Sequence, residues 1–328
     1  MQTRNIVITR TPLRISFMGG GTDFKYFYKN NVAGIVSSTI NRFVYVTVKR
    51  HPRFFFENYR LNYSRSETAL KVNDIKNDII RECIKFSGIK EKLYISTISD
   101  FPSNTGLGGS SAFVVGLLKA LFELQNKSIS KNKLLEYAIK VEIDILKSPI
   151  GIQDHISAVY GGLNYIKIYR NNIKINKIKI NKYKINFFFK KLNLFWTGGT
   201  REANKILSDQ KKNLKKNIKS LKILQKKSVL FYSELKKKKH NLNKICEMID
   251  ESWKLKSKFS TKIVNNKISN VISLLKKNNF RGLKILGAGG GGFILAFNEK
   301  KNMNKTYKNL KNISIEYQKI GSEIIYKK

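Results

Sequence analysis

Apolar and polar positions alternate along the first third of the chain. The alternation predicts strands at NIVITR, LRISFM, GIVSST with FVYVTVK, FFFENYRLNYS and LYISTIS, with one helical stretch near Asp74 to Phe86. The pattern then changes. Ala112 to Phe122 is apolar almost all the way round, interrupted only by Gly116 and Lys119, as in a helix enclosed by protein. A second helix is predicted over Lys131 to Lys147, with Leu135, Ala138, Ile139, Ile145 and Leu146 on its apolar face and Lys133, Glu136, Lys140, Asp144 and Lys147 on its wet one. GIQDHISAVYGG follows as a short segment, then a strand GLNYIKIY, a hairpin through about Asn186 and a strand NLFW. From Arg201 to about Asn278 the chain reads as helix with few breakers. KILGAGGGGFILAF reads as strand, glycine turn, strand, before a short helix and a last strand EIIY. This mixture predicts an α+β fold without internal repeats. We place a domain boundary near residue 190, giving domains 1–190 and 191–328.

Composition narrows the class. A chain of 328 residues, 41% hydrophobic, is long enough for two domains and a sizeable core, so an enzyme or binding protein is expected. No run of about 18 apolar residues offers a membrane span. MQTRNIVITR has no signal-peptide core, which points to the cytoplasm. Cys83 and Cys246 stand far apart, which argues against a disulfide framework or a structural zinc site; a metal would be held by oxygen. The formal charge of +42 raises nucleic acid as a partner. The lysines, however, are spread along the whole chain, as in NNIKINKIKINKYKIN, and no zinc finger, arginine-rich arm or RNP-type strand accompanies them. The densest run, QKKNLKKNIKSLKILQKKS, reads as a solvated helix face. The charge favours anionic small substrates. No nucleic-acid or membrane partner is expected; a non-catalytic, basic RNA-binding protein stays as the competing class, and a homo-oligomer stays open.

Candidate chemistry gathers at four places. PSNTGLGGSSAF runs into the enclosed helix, and backbone N–H groups at such a helix start can close around an anion, with phosphate the natural guest. The plain alternative is a turn with Ser110 as N-cap. The lysine of GxxxxGK[ST] is missing, which excludes a P-loop NTPase. Gly287, Gly289 and Gly292 fit GxGxxG, but FILAF after them is a strand, so a structural turn is the leading reading there. Glu142 falls on the apolar side of its helix, where a carboxylate needs either a buried cationic partner or a magnesium ion shared with phosphates. Asp154 enters a new segment after Pro149 and Gly151, as an N-cap or as a catalyst. RTPLRISFMGGGTDF presents Arg14 on a strand and Asp23 beyond three glycines, as a structural pair or as substrate contacts.

Taken in order, RTPLRISFMGGGTD, PSNTGLGGSSAF and KILGAGGGGFILAF resemble the three motifs of the GHMP kinases. The resemblance implies a two-domain fold: a mixed N-terminal sheet with a buried phosphate-loop helix, and a helix-rich, ferredoxin-like C-terminal half. It implies ATP and Mg2+ as cofactors. Pro102, Asn104, Gly106, Leu107, Gly108, Gly109, Ser110 and Ser111 would form the ATP phosphate loop. Ser110, with Ser111 as fallback, and Glu142 would hold the metal. Asp154 would be the base, Arg14 would sit beside it, and Asp23 with Gly20, Gly21 and Thr22 would bind sugar hydroxyls. The third motif would brace the phosphate loop. GGGTD in place of GEHTD departs from galactokinases, and LRISFMGGGTD, STINRFVYVTV, GIQDH and TGGTREAN resemble a sugar-kinase branch acting on D-glycero-D-manno-heptose 7-phosphate or L-fucose. His155 stands where that branch has glutamine. A phosphorylated acceptor would need a cation, for which Arg201 is the first candidate and Lys25 the second.

Overall fold

The computed structural model describes residues 4–198, 206, 208–209, 213–298 and 310–328. Its first sheet has eight strands, ordered β12-β1-β2-β5-β3-β4, with β6 and then β7 attached to β2. These are β1 (Ile6–Met18), β2 (Ala33–Arg50), β3 (Tyr59–Asn62), β4 (Ser66–Ala69), β5 (Leu93–Ser99), β6 (Leu163–Tyr169), β7 (Asn172–Lys177) and β12 (Glu323–Lys327). Only β3 and β5 run parallel, so the sheet is mixed. β2 serves two neighbours: its start pairs with β6 and its end with β5. The start is enclosed on both faces, and the end alternates buried with half-buried positions, as FVYVTVK predicts. β1 is bulged between Pro12 and Arg14, and again between Ser16 and Met18, which re-aims side chains where the cleft lies.

α3 (Gly109–Leu124) crosses the sheet against β1 and β2. Both interruptions in its apolar sequence have a cause. At Gly116 an added β-carbon would come within 2.8 Å of Thr11 Oγ1, so only glycine lets the helix approach the strand this closely. Lys119 reaches out to donate to Ser322 O at 2.8 Å. α2 (Asp78–Ser87), α4 (Lys131–Ile139) and α5 (Gln153–Tyr160) pack around α3 or each other, with short α1 (Lys25–Tyr28) before β2.

The second sheet is antiparallel, ordered β11-β8-β10-β9, from β8 (Leu192–Trp196), β9 (Arg281–Ile285), β10 (Phe293–Phe297) and β11 (Asn312–Ser314). It is flanked by α6 (Lys182–Lys190), α8 (Leu242–Lys256) and α9 (Asn266–Lys277), while α7 (Leu214–Lys236) packs on α8 and on β1 and β2 of the first sheet. Phe17 of β1 lies 5.7 Å from Phe188 of α6 and 5.9 Å from Phe231 of α7, and Phe188 lies 5.5 Å from Phe297 of β10. The apolar core is thus continuous from one sheet to the other. A division at residue 190 separates α6 from β8, but the chain crosses back, because β12 pairs with β1 in the first sheet. No helix among the described residues is long and apolar enough to cross a membrane.

Three local expectations are corrected. Phe54 and Phe56 are exposed in a turn, not in a strand, and regular pairing starts only at Tyr59. The hairpin ends at Lys177, and residues 182–190 are helix α6, capped by Asn181 and burying Ile185, Phe188 and Phe189 at helical spacing. The helix over Lys131 to Lys147 changes character after Ile139, where Lys140–Ile145 forms a π turn with Leu146 N donating to Val141 O at 3.0 Å. The wider turn rotates the end of the helix, leaving Ile145 exposed where a straight helix would bury it.

Candidate active site

The loop 102–108 delivers the chain to the first turn of α3, whose N-cap is Gly108. No side chain caps this end, so its N–H groups are left for a ligand at the positive end of the helix dipole. Arg14 N donates to Leu107 O at 2.9 Å, Arg14 Nη1 to Gly106 O at 2.5 Å, and Phe293 N to Thr105 O at 3.3 Å. The last bond comes from the end of the third glycine segment. Pro102, Asn104, Gly106, Gly108, Gly109 and Ser110 line a cleft of about 540 Å³. Leu107 and Ser111 are buried behind that wall, so of these two Leu107 offers the loop its backbone alone.

Asp154 lies in the first turn of α5, on the cleft wall. Both its oxygens are held by Arg14, Nε to Oδ1 and Nη2 to Oδ2, each at 2.7 Å. This is a bidentate, charge-assisted pair whose guanidinium is nearly fully buried. Because Arg14 also holds Gly106, one side chain sets the spacing between the carboxylate and the glycine loop.

Asp23, 1% exposed, sits beside this pair. Burial, and then the nearby Asp154 charge, push its carboxyl above the ordinary range, while N–H donors from Gly21 (2.9 Å) and Gln153 (3.3 Å) oppose the rise. A β-carbon at Gly151 would fall 1.9 Å from Asp23 Oδ2, so that glycine is what lets the α5 entry close on the carboxylate. Gly21 lines the cleft with Asp23. Thr22 does not: its hydroxyl donates to Gly19 O at 2.7 Å and holds the loop from inside.

Glu142 projects from the π turn and is 2% exposed. Ser111 Oγ donates to its Oε2 at 2.8 Å, and His155 Nε2 lies 2.7 Å from the same oxygen, a contact close enough for an ion pair but without directed hydrogen-bond geometry. Burial raises the Glu142 carboxyl, but His155 and the hydroxyls of Ser110 and Ser111 outweigh it and hold the group below its ordinary value. The inward glutamate therefore has a basic partner, as a buried salt bridge requires, and it also has the exposed Ser110 hydroxyl between it and the cleft.

Several contributors carry no signal in the sequence. Lys256 and Lys284 reach the cleft from α8 and β9. At the other end, Val44, Ile79, Phe101 and Phe113 form an apolar wall, beside which the buried Thr97 Oγ1 has no hydrogen-bond partner among the described residues. No motif marks that wall, since its residues come from separate strands and helices and read as core. Lys25 is exposed and lines a different groove with Tyr28, Lys140 and Asp144. Arg201 lies outside the described residues.

The family model described as "GHMP kinases N terminal domain" matches residues 73–162 and that described as "GHMP kinases C terminal" matches residues 231–313, together more than half of the chain. D-glycero-alpha-D-manno-heptose 7-phosphate kinase of Campylobacter jejuni subsp. jejuni serotype O:2 is 27% identical over 301 residues, covering 88% of this chain and 88% of that protein. A D-glycero-D-manno-heptose 1-phosphate kinase from Bacteroides thetaiotaomicron superposes with a TM-score of 0.75 at 19% identity, over 98% of this chain and 99% of that one. Galactokinase of Lactococcus lactis, solved with galactose, gives 0.74 at 14% identity, over 98% and 96%. At these identities the two structures speak for the fold.

Proposed function

We propose that this chain, which belongs to the GHMP kinases, phosphorylates the anomeric hydroxyl of D-glycero-D-manno-heptose 7-phosphate to the 1,7-bisphosphate. It is an ATP-dependent carbohydrate kinase. The observation that carries the finer reading is the bidentate Arg14–Asp154 pair, tied through Gly106 to the glycine loop and flanked by buried Asp23. The similarity to the heptose 7-phosphate kinase over most of both chains supports the acceptor. The product would feed nucleotide-activated heptose into capsule or lipopolysaccharide.

In the mechanism proposed, the N–H groups at the start of α3 take the ATP phosphates, and the apolar wall of Val44, Ile79, Phe101 and Phe113 takes the base. Asp23 accepts hydrogen bonds from sugar hydroxyls. Asp154 takes the proton of the anomeric hydroxyl as its oxygen forms the new bond to the γ-phosphorus and the bond to ADP breaks. Arg14 keeps Asp154 in line with the loop. The donors near the loop also fit a magnesium ion. Glu142 is held ionised, the Ser110 hydroxyl faces the cleft, and the described residues contain no cluster of three or more His, Cys, Asp or Glu able to hold a metal unaided. A hard cation at Glu142 and Ser110 would take its other ligands from phosphate and water, and when bound would neutralise charge on the transferring phosphoryl group.

ADP release with ATP and magnesium across heptose 7-phosphate, heptose, L-fucose, mannose and galactose tests the substrate. Turnover confined to the 7-phosphate is expected. Turnover of an unphosphorylated hexose instead would move the protein to an L-fucokinase-like or hexose 1-kinase activity.

A further inference from the structure

Lys256 is the last residue of α8, where the negative end of the helix dipole favours its charge, and its Nζ donates to Gly287 O at 2.7 Å. Lys284, next to last in β9, is 2% exposed and donates to Phe17 O at 3.0 Å. Both side chains arrive at the acceptor end of the cleft. An added β-carbon on Gly20 would find Lys256 Nζ at 3.5 Å, Ser16 Oγ at 3.5 Å and Gln153 Nε2 at 3.7 Å. Three polar heads thus surround the glycine that precedes Gly21 and Asp23. Ser16 Oγ, which can donate to an anion, is buried without a hydrogen-bond partner among the described residues; Gln153 brings its Nε2 donor to the same place, while its buried, unpaired Oε1 is an acceptor that suits a hydroxyl and not the anion. Buried polar groups of this kind are costly until something fills their valences.

The charges point the same way. The charged residues lining the cleft are Arg14, Asp23, Asp154, Lys256 and Lys284. Arg14 and Asp154 neutralise each other, and Asp23 resists ionisation. Lys256 adds a positive charge to the lining, and Lys284, whose charged form burial opposes, gains that form when an anion lies beside it. Burial, then Lys256 and Arg14, push the Lys284 ammonium well below its ordinary value, a strain that a bound anion would relieve. Nucleotide phosphates have their own cradle in the uncapped start of α3.

Resting on the kinase reading above, we infer that Lys256 and Lys284, with Ser16 and Gln153, form an anion subsite that takes a phosphate already carried by the sugar acceptor. Strand β1 supplies the hydroxyl, α5 the amide, and the second half of the chain both cations. Because Gly287 orients Lys256, the third glycine segment serves acceptor recognition as well as the phosphate loop.

Steady-state kinetics with matched acceptors, heptose 7-phosphate against heptose and mannose 6-phosphate against mannose, test it. Lys256→Met is expected to raise KM for the phosphorylated member of a pair about tenfold more than for the other. Lys256→Arg should restore most of the difference. An equal rise for both members, or a rise confined to KM for ATP, would overturn the subsite. Lys284 is buried, so Lys284→Met is compared only after its thermal unfolding matches wild type, and Lys256→Met decides the question without it. A wild-type enzyme that uses only unphosphorylated sugars overturns the heptose phosphate reading and the subsite together. One that prefers the phosphate and keeps that preference in Lys256→Met overturns the subsite alone.

Discussion

Two carboxylates share the cleft on opposite terms, and a third lies behind its wall. Asp154 is matched by a guanidinium, and as the proposed base its loss should be felt in turnover. Asp154→Asn is expected to lower kcat by about 10²–10⁴-fold while leaving ATP binding, measured by calorimetry, nearly intact; wild-type turnover would remove it as the base. Asp23 carries a raised folded pKa, so its ionised form costs stability at neutral pH and the cost fades as pH falls into the ordinary carboxylate range. Asp23→Asn should therefore raise the melting temperature at pH 7 and lose that advantage near about pH 4, while weakening acceptor binding. Glu142 has the reverse sign. Its folded pKa is lowered, so its contribution is present above about pH 4.3 and lost as pH drops through the lower folded value. Urea unfolding of Glu142→Gln should show a deficit at neutral pH that closes in acid; a deficit independent of pH would mean the loss is one of packing.

At the scale of elements, α3 depends on how closely it lies on β1. Gly116→Val is expected to cost about 1–3 kcal/mol in urea unfolding, because the helix must lift from Thr9 and Thr11. An unchanged midpoint would show that the contact has slack. The glycine loop, its enclosed helix and the inward-facing Glu142 were legible in the sequence because each signal is local. α6 was missed, because the lysine and isoleucine alternation before it reads as a hairpin through about Asn186, although Ile185, Phe188 and Phe189 stand at helical spacing. The π turn was not legible, since a straight-helix extrapolation has no term for one extra residue in a turn, and Ile145 was misplaced as a result. Lys256 and Lys284 stand far along the chain from Gly20, and no spacing rule brings them together. Their place depends on how α8 and β9 pack on each other, which only tertiary structure decides.

For the whole molecule, the charge of +42 surrounds a cleft built for anions. Such a field should speed capture more than chemistry, so rising ionic strength is expected to lower kcat/KM for ATP while kcat holds. A matching fall in both would place the salt effect in the chemical step. The field acts on a body whose two sheets share one core, and whose last strand lies against its first. The pairing of β12 with β1 also sets a schedule for synthesis. Glu323 is made 313 residues after its partner Arg10, an interval of about 15–60 s on the ribosome. For that time one edge of β1 stays open to any passing strand, the hazard that edge strands carry. A chaperone that covers nascent β1 would matter most for this chain at the moment when the rest of the first sheet is already complete.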